Sequence, residues 1–156
     1  MNFDEAFKIL IGHEGGYVWD PRDPGGETKY GISKRGYPDA DIKNLTLEGA
    51  KEIYKRDYWN TLKLDAIPDN LRFMLFDAGV NSGIGTSVKW LQRCLGVKDD
   101  GVLGPATLAT VNAANVYKLA ARFNGVRLQA LTDLPTFNVF GRGWARRIAE
   151  NLINIT

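Results

Sequence analysis

Between Leu71 and Val80 the chain carries Phe73, Met74, Leu75, Phe76 and Ala78, so a helix drawn through this stretch is apolar on nearly every side. Such a helix is stable only when other elements surround it, which makes it the central helix of the fold. Helical patterns lie on both sides of it. Phe3, Phe7 and Leu10 recur at helical spacing and predict a first helix stopped by Gly15-Gly16. Thr46 can cap a second helix with Leu47, Ala50, Ile53 and Tyr54 on one face, running to about Trp59, and Pro68 opens the central one. Beyond it, Val88, Leu91 and Leu95 define a helix stopped by Gly96, Pro105 begins a short one, and patterns over about 116–131 and 139–153 predict two longer ones.

Residues 15–38 break this regime. Pro21, Pro24, Gly25, Gly26, Gly31, Gly36 and Pro38 exclude a helix, while Tyr17-Val18-Trp19 and Thr28-Lys29-Tyr30 are β-prone. The expected fold class is therefore mainly α, with a small β-hairpin near the N-terminus. At 156 residues, with no repeat and no low-complexity linker, the chain is expected to form a single domain over 1–156, in which 1–87 carry the first helix, hairpin and central helix and 88–156 a further helical region.

Several function classes fall away at once. Cys94 is the only cysteine and His13 the only histidine, so a zinc site built from Cys and His ligands is nearly excluded, and with it zinc amidases and zinc peptidases; no metal or cofactor is expected. No apolar run approaches the roughly 20 residues of a membrane span, so no stable membrane insertion is expected. The start, Met1-Asn2-Phe3-Asp4-Glu5, is acidic where a secretory signal is basic, which predicts synthesis in the cytosol. The net charge of +2 does not suggest a nucleic-acid partner, and a monomer is expected. The charge is uneven, however: residues 1–78 hold 11 basic and 14 acidic side chains, residues 79–156 hold 9 and 4. Lys118, Arg122, Arg127, Arg142, Arg146 and Arg147 form either a surface for an anionic polymer or a set of solvated helix faces.

Glu14 falls on the stripe of Phe3, Phe7 and Leu10, where a carboxylate points toward the apolar interior. Partial burial raises a carboxyl pKa toward that of a general acid working near neutrality; the alternative is a structural carboxylate bonded to loop amides. Asp23 follows nine residues on and Thr28 fourteen on, across a glycine-rich bend. Glycoside hydrolysis needs this pairing of a proton donor with a second group that stabilises the cationic sugar, holds a water or attacks the anomeric carbon. Tyr17, Trp19 and Tyr30 flank the acids and can stack on sugar faces or pack in the core. Asn81 can hydrogen-bond a sugar N-acetyl group or cap its helix. Asp77, in the apolar helix, needs a partner if buried, and either anchors the hairpin or lines a cleft. His13 reads as a helix-end cation or a backbone-bonded side chain, and Cys94 as a buried side chain beside Leu91 and Leu95.

The run His13-Glu14-Gly15-Gly16-Tyr17, continued by Asp20-Pro21-Arg22-Asp23-Pro24-Gly25-Gly26-Glu27-Thr28-Lys29-Tyr30-Gly31-Ile32-Ser33, resembles glycoside hydrolase family 108, the N-acetylmuramidases of phage endolysins and related bacterial lysis or secretion proteins. Phe76-Asp77-Ala78-Gly79-Val80-Asn81-Ser82-Gly83 is similar to the family's second block. From about residue 88, Leu91-Gln92, Leu95-Gly96-Val97 and residues 100–108 resemble the predicted peptidoglycan-binding region that accompanies it. The resemblance implies a lysozyme-like fold, bacterial peptidoglycan as partner and Glu14 as catalytic acid. The Glu14, Asp23, Thr28 spacing resembles that of phage lysozymes, with one residue fewer between Asp and Thr. That register favours Asp23 over Asp20 as second carboxylate.

The expected activity is hydrolysis of the β-1,4 bond between N-acetylmuramic acid and N-acetylglucosamine, the protein being made in the host cytoplasm and reaching the wall after membrane permeabilisation. Whether configuration is retained or inverted stays open. The competing readings are a lytic transglycosylase, which Asp23 and Thr28 argue against, and a non-catalytic wall-binding or secretion-accessory protein, which the intact Glu14 argues against. A cysteine peptidase would need Cys94 in a nucleophile-like setting, which it lacks.

Overall fold

The computed structural model describes residues 1–12 and 16–155. His13 and Glu14, and with them the helix-end cation and the general acid of the sequence reading, lie outside the described residues. The chain divides into two compact units, one of residues 2–59 and one of Met1 with residues 60–156.

In the first unit, α1 (Phe3–Gly12) buries Phe3, Ala6, Phe7 and Leu10, the stripe its spacing predicts. Phe3 meets Trp59 edge-on at 5.4 Å between ring centroids, and Phe7 lies 5.8 Å from Tyr54. These two partners come from α2 (Leu47–Tyr54) and the π-helical turn Lys55–Trp59 that continues it. Thr46 caps α2 as expected, its hydroxyl accepting from Gly49 N at 3.0 Å. The hairpin differs in detail from the sequence reading. Its strands are β1 (Thr28–Lys29) and β2 (Ile32–Ser33), while the Tyr17–Trp19 segment contributes only a bridge between Val18 and Thr28. The reason is the turn: Tyr30 and Gly31 both take positive φ, 51° and 76°, and a two-residue loop of that hand matches the natural strand twist. Tyr30 is strained there, and the Tyr54 hydroxyl donates to its carbonyl at 2.9 Å, holding the turn against α2.

The second unit is built of helices. After the 3₁₀ turn Leu64–Ala66 come α3 (Asp69–Ser82), α4 (Ile84–Leu95), α5 (Pro105–Ala113), α6 (Val116–Thr132) and α7 (Phe137–Ile153). The central helix α3 buries Leu71, Met74, Leu75, Phe76, Ala78 and Gly79, and packs on both α4 and α6, which pack on each other. Gly79 is required for that approach, because a Cβ there would stand 2.9 Å from Leu62 Cδ1. Gly96, at φ 71°, ends α4, and Pro105 sits at the start of α5. Between them, buried Gln92 locks the loop: its Nε2 donates to Asp100 Oδ1 and Val102 O, and its Oε1 accepts from Gly101 N. The block from Gln92 to Pro105 thus has a structural reason for its residues. Among the described residues, no helix is long and apolar enough to cross a membrane.

Candidate functional site

The two hairpin-loop acids are held differently. Asp20 is the counter-ion of Arg22, whose Nε and Nη2 donate to its two carboxylate oxygens at 3.0 and 2.8 Å, with the Arg22 backbone N–H adding a third bond at 2.9 Å. The guanidinium and the amide hold the Asp20 carboxyl below its ordinary range. Asp23 instead accepts from Gly25 N at 2.7 Å through Oδ1, an Asx turn that aims the carboxylate outward. It is exposed and has no ion-pair partner among the described residues. Its own N–H and C=O complete the surrounding turns, bonding Asp20 O and Gly26 N.

Thr28 is half-buried, and its main chain exchanges two 2.8 Å hydrogen bonds with Val18. That bridge brings Tyr17 beside the start of β1, where its hydroxyl donates to Glu27 Oε1 at 2.7 Å; this bond raises the phenol above its usual pKa. Glu27 was missed by sequence reasoning as a partner of Tyr17. Its signal is its place next to Thr28, opposite the 17–19 segment once the bridge is known. Trp19 is exposed and Tyr30 half-buried.

In the helical unit, Asn81 sits in the last turn of α3 and donates from Nδ2 to Asp77 O at 3.1 Å and Asp77 Oδ1 at 3.3 Å. It is exposed and stands on the rim of a pocket of about 330 Å³ with Thr86, Trp90, Leu131 and Trp144.

Asp77 is fully buried, and the structure gives it a role the sequence reading did not consider. Arg127 donates from Nη1 to its Oδ2 at 2.6 Å, Arg147 donates from Nε to its Oδ1, and Asn151 adds a bond at 3.2 Å. Its partners come from α6 and α7, so it fastens the C-terminal helices to α3. This corrects the reading of the basic cluster as one surface. Arg127 is 2 % exposed and Arg147 mostly buried, so neither is a solvated cation; the cost of burying them is offset by Asp77. Cys94 is buried as expected, and burial pushes its thiol pKa up, away from a nucleophile's.

Seven helices and one short antiparallel hairpin among the described residues form a lysozyme-like helical fold. Residues 7–83 match the glycosyl hydrolase 108 family model and residues 86–149 that of the predicted peptidoglycan domain. The structure is similar to that of SagA from Brucella abortus, with a TM-score of 0.88 and 34% sequence identity over 98% of this chain and 92% of that one. No curated protein sequence matches the chain. The chain belongs to glycosyl hydrolase family 108, a family of glycoside hydrolases, and its two matched regions give it a role in hydrolysing or binding peptidoglycan.

Proposed function

We propose that this protein is an N-acetylmuramidase that cleaves the β-1,4 bond between N-acetylmuramic acid and N-acetylglucosamine, with Glu14 as the general acid and Asp23 as the second carboxylate. The observation that carries the choice of carboxylate is the contrast in the hairpin loop: Asp20 is neutralised by a forked Arg22, whereas Asp23 presents an exposed carboxylate with no cation beside it among the described residues. An unpaired carboxylate can stabilise an oxocarbenium-like transition state or hold a water, and a paired one does so poorly because its charge is already compensated. Thr28, Tyr17 and Tyr30 border the same loop as water-positioning and sugar-contacting groups, and Asn81 is a candidate for an N-acetyl contact. No cofactor enters the chemistry. The physiological role that goes with this reading is that of a phage endolysin, made in the host cytoplasm and acting on the wall after the membrane is breached.

The test is mass spectrometry of digested peptidoglycan. Muropeptides with reducing N-acetylmuramic acid ends are expected, unchanged by EDTA, whereas anhydro ends would make the protein a lytic transglycosylase and reducing N-acetylglucosamine ends a glucosaminidase. Glu14→Gln should abolish hydrolysis while the protein stays folded and binds glycan, because the amide keeps the shape of a protonated acid but has no proton to release. Asp23→Asn should cost far more activity than Asp20→Asn at equal folding by circular dichroism. A folded Glu14→Gln protein that still hydrolyses the wall would remove Glu14 from the mechanism.

A further inference from the structure

Lys118 and Arg122 stand one turn apart on α6, both exposed, and neither has an acidic partner among the described residues. Like charges four residues apart on a helix repel, and Lys118 stands in the first turn of α6, where a cation is disfavoured and an acid preferred; that turn holds no acid. Both side chains line one surface groove of about 390 Å³, formed where the end of α4 and the end of α5 meet α6. Its remaining wall is largely apolar, including Cys94, Leu95, Ala114 and Leu119. Arg122 is close enough to Cys94 to oppose part of the upward effect of burial on that thiol. The groove therefore joins two uncompensated cations to a small apolar floor, and all of it lies within the residues that match the predicted peptidoglycan domain.

We infer that this groove binds the stem peptide of peptidoglycan, taking a peptide carboxylate on Lys118 and Arg122 and an alanine methyl against Leu95, Ala114 and Leu119. The inference rests on the peptidoglycan-directed reading of the chain and adds to it the part of the polymer that the C-terminal region holds. A carboxylate carried on a small apolar residue matches both halves of the groove. A bare phosphate would match only the cations and leave the apolar floor uncovered. The site would grip peptide while the glycan is cut elsewhere, so wall affinity and glycosidic chemistry would be separable.

The experiment is an NMR titration of the full chain, following the backbone amides of residues 94–95 and 113–122, with an acetylated peptide ending in D-alanyl-D-alanine, its C-terminal amide, and inorganic phosphate as separate probes. The free-carboxylate peptide should shift these amides saturably, the amidated peptide at least tenfold more weakly. The Lys118→Ala/Arg122→Ala variant should lose at least tenfold in affinity, and Lys118→Arg/Arg122→Lys should keep it within a few-fold. Because the variant removes a like-charge pair, its melting temperature should not fall. Equal binding of the amide, phosphate binding as tightly as the peptide, or full affinity in the alanine variant would each overturn the inference. Muropeptide release by the same preparations separates the two readings. Peptide binding without glycan cleavage would sink the muramidase and leave the groove standing, and cleavage without peptide binding would do the reverse.

Discussion

Asp77 shows how much of this molecule turns on one side chain. Its carboxylate is fully buried at the point where α3, α6 and α7 meet, and it is the anion for two guanidinium groups. Removing one partner of a buried ion pair is far costlier than never having built the pair, because the remaining charge stays desolvated and uncompensated. Asp77→Ala should therefore lower stability by about 3–5 kcal/mol in urea unfolding, and Asp77→Asn should recover only part of that loss, since the amide keeps the shape but not the charge. A loss under about 1 kcal/mol would mean that water or another group compensates Arg127. The sequence already signals a problem at this position, an acid in an apolar helix, but not its solution.

Among the elements, the π-helical turn after α2 is the least regular, and Asp57 within it fastens the unit's loop. Its carboxylate accepts from the Tyr37 hydroxyl at 2.9 Å and from the Arg56 guanidinium at 2.6 and 2.8 Å. Arg56 first, then the Tyr37 bond, draw the Asp57 carboxyl below its ordinary value against the opposing effect of burial, and Tyr37, half-buried and bonded to that anion, is pushed up. The folded pKa of Asp57 thus lies below the unfolded value of about 3.9, so its contribution is present in full above that value and is lost as pH falls through the lower, folded one. Asp57→Asn, which keeps an acceptor for Tyr37, should cost about 1 kcal/mol at pH 7, and the difference from the parent should shrink in thermal melts as pH falls through the folded pKa of Asp57. A difference that persists unchanged at low pH would assign the effect to shape and not to charge. The neighbouring elements needed no such device: the Thr46 cap, Gly96 at positive φ and Pro105 at a first turn are all local signals, and each stands where its type predicts.

At the scale of the whole molecule, the six cations from Lys118 to Arg147 separate into three parts. Arg127 and Arg147 are internal, Lys118 and Arg122 face the α4–α6 groove, and Arg142 and Arg146 are exposed on α7. Only exposed cations can draw the chain to an anionic wall, and they do so over a distance that salt shortens to about 10 Å at 0.1 M. Arg142→Ala/Arg146→Ala should therefore weaken sedimentation with isolated walls several-fold at about 10 mM salt and leave it unchanged at about 0.5 M, with turnover of short soluble fragments intact. Adding Arg147→Ala to the pair would confuse the measurement, because that change also unbalances Asp77.

The helices, their caps, the glycine-rich hairpin segment and the family motifs are legible in the chain because each depends on neighbours within a turn or two: a periodic stripe, a hydroxyl at a helix start, a glycine at positive φ. The alternation of acids and glycines from Glu14 to Thr28 likewise points to glycoside chemistry by residue type and spacing. What only the tertiary structure decided are the pairings of distant groups. Asp77 meets Arg127 and Arg147 across 50 and 70 residues, Tyr30 is held in a strained turn by Tyr54, and Asp20 and Asp23, equivalent by composition, differ because one lies under a guanidinium and the other over a backbone amide. Local patterns follow from backbone geometry, which each residue carries with it. Which charge is compensated, and which is left for a ligand, depends on what packing brings within a few ångströms, and that is set by the fold as a whole.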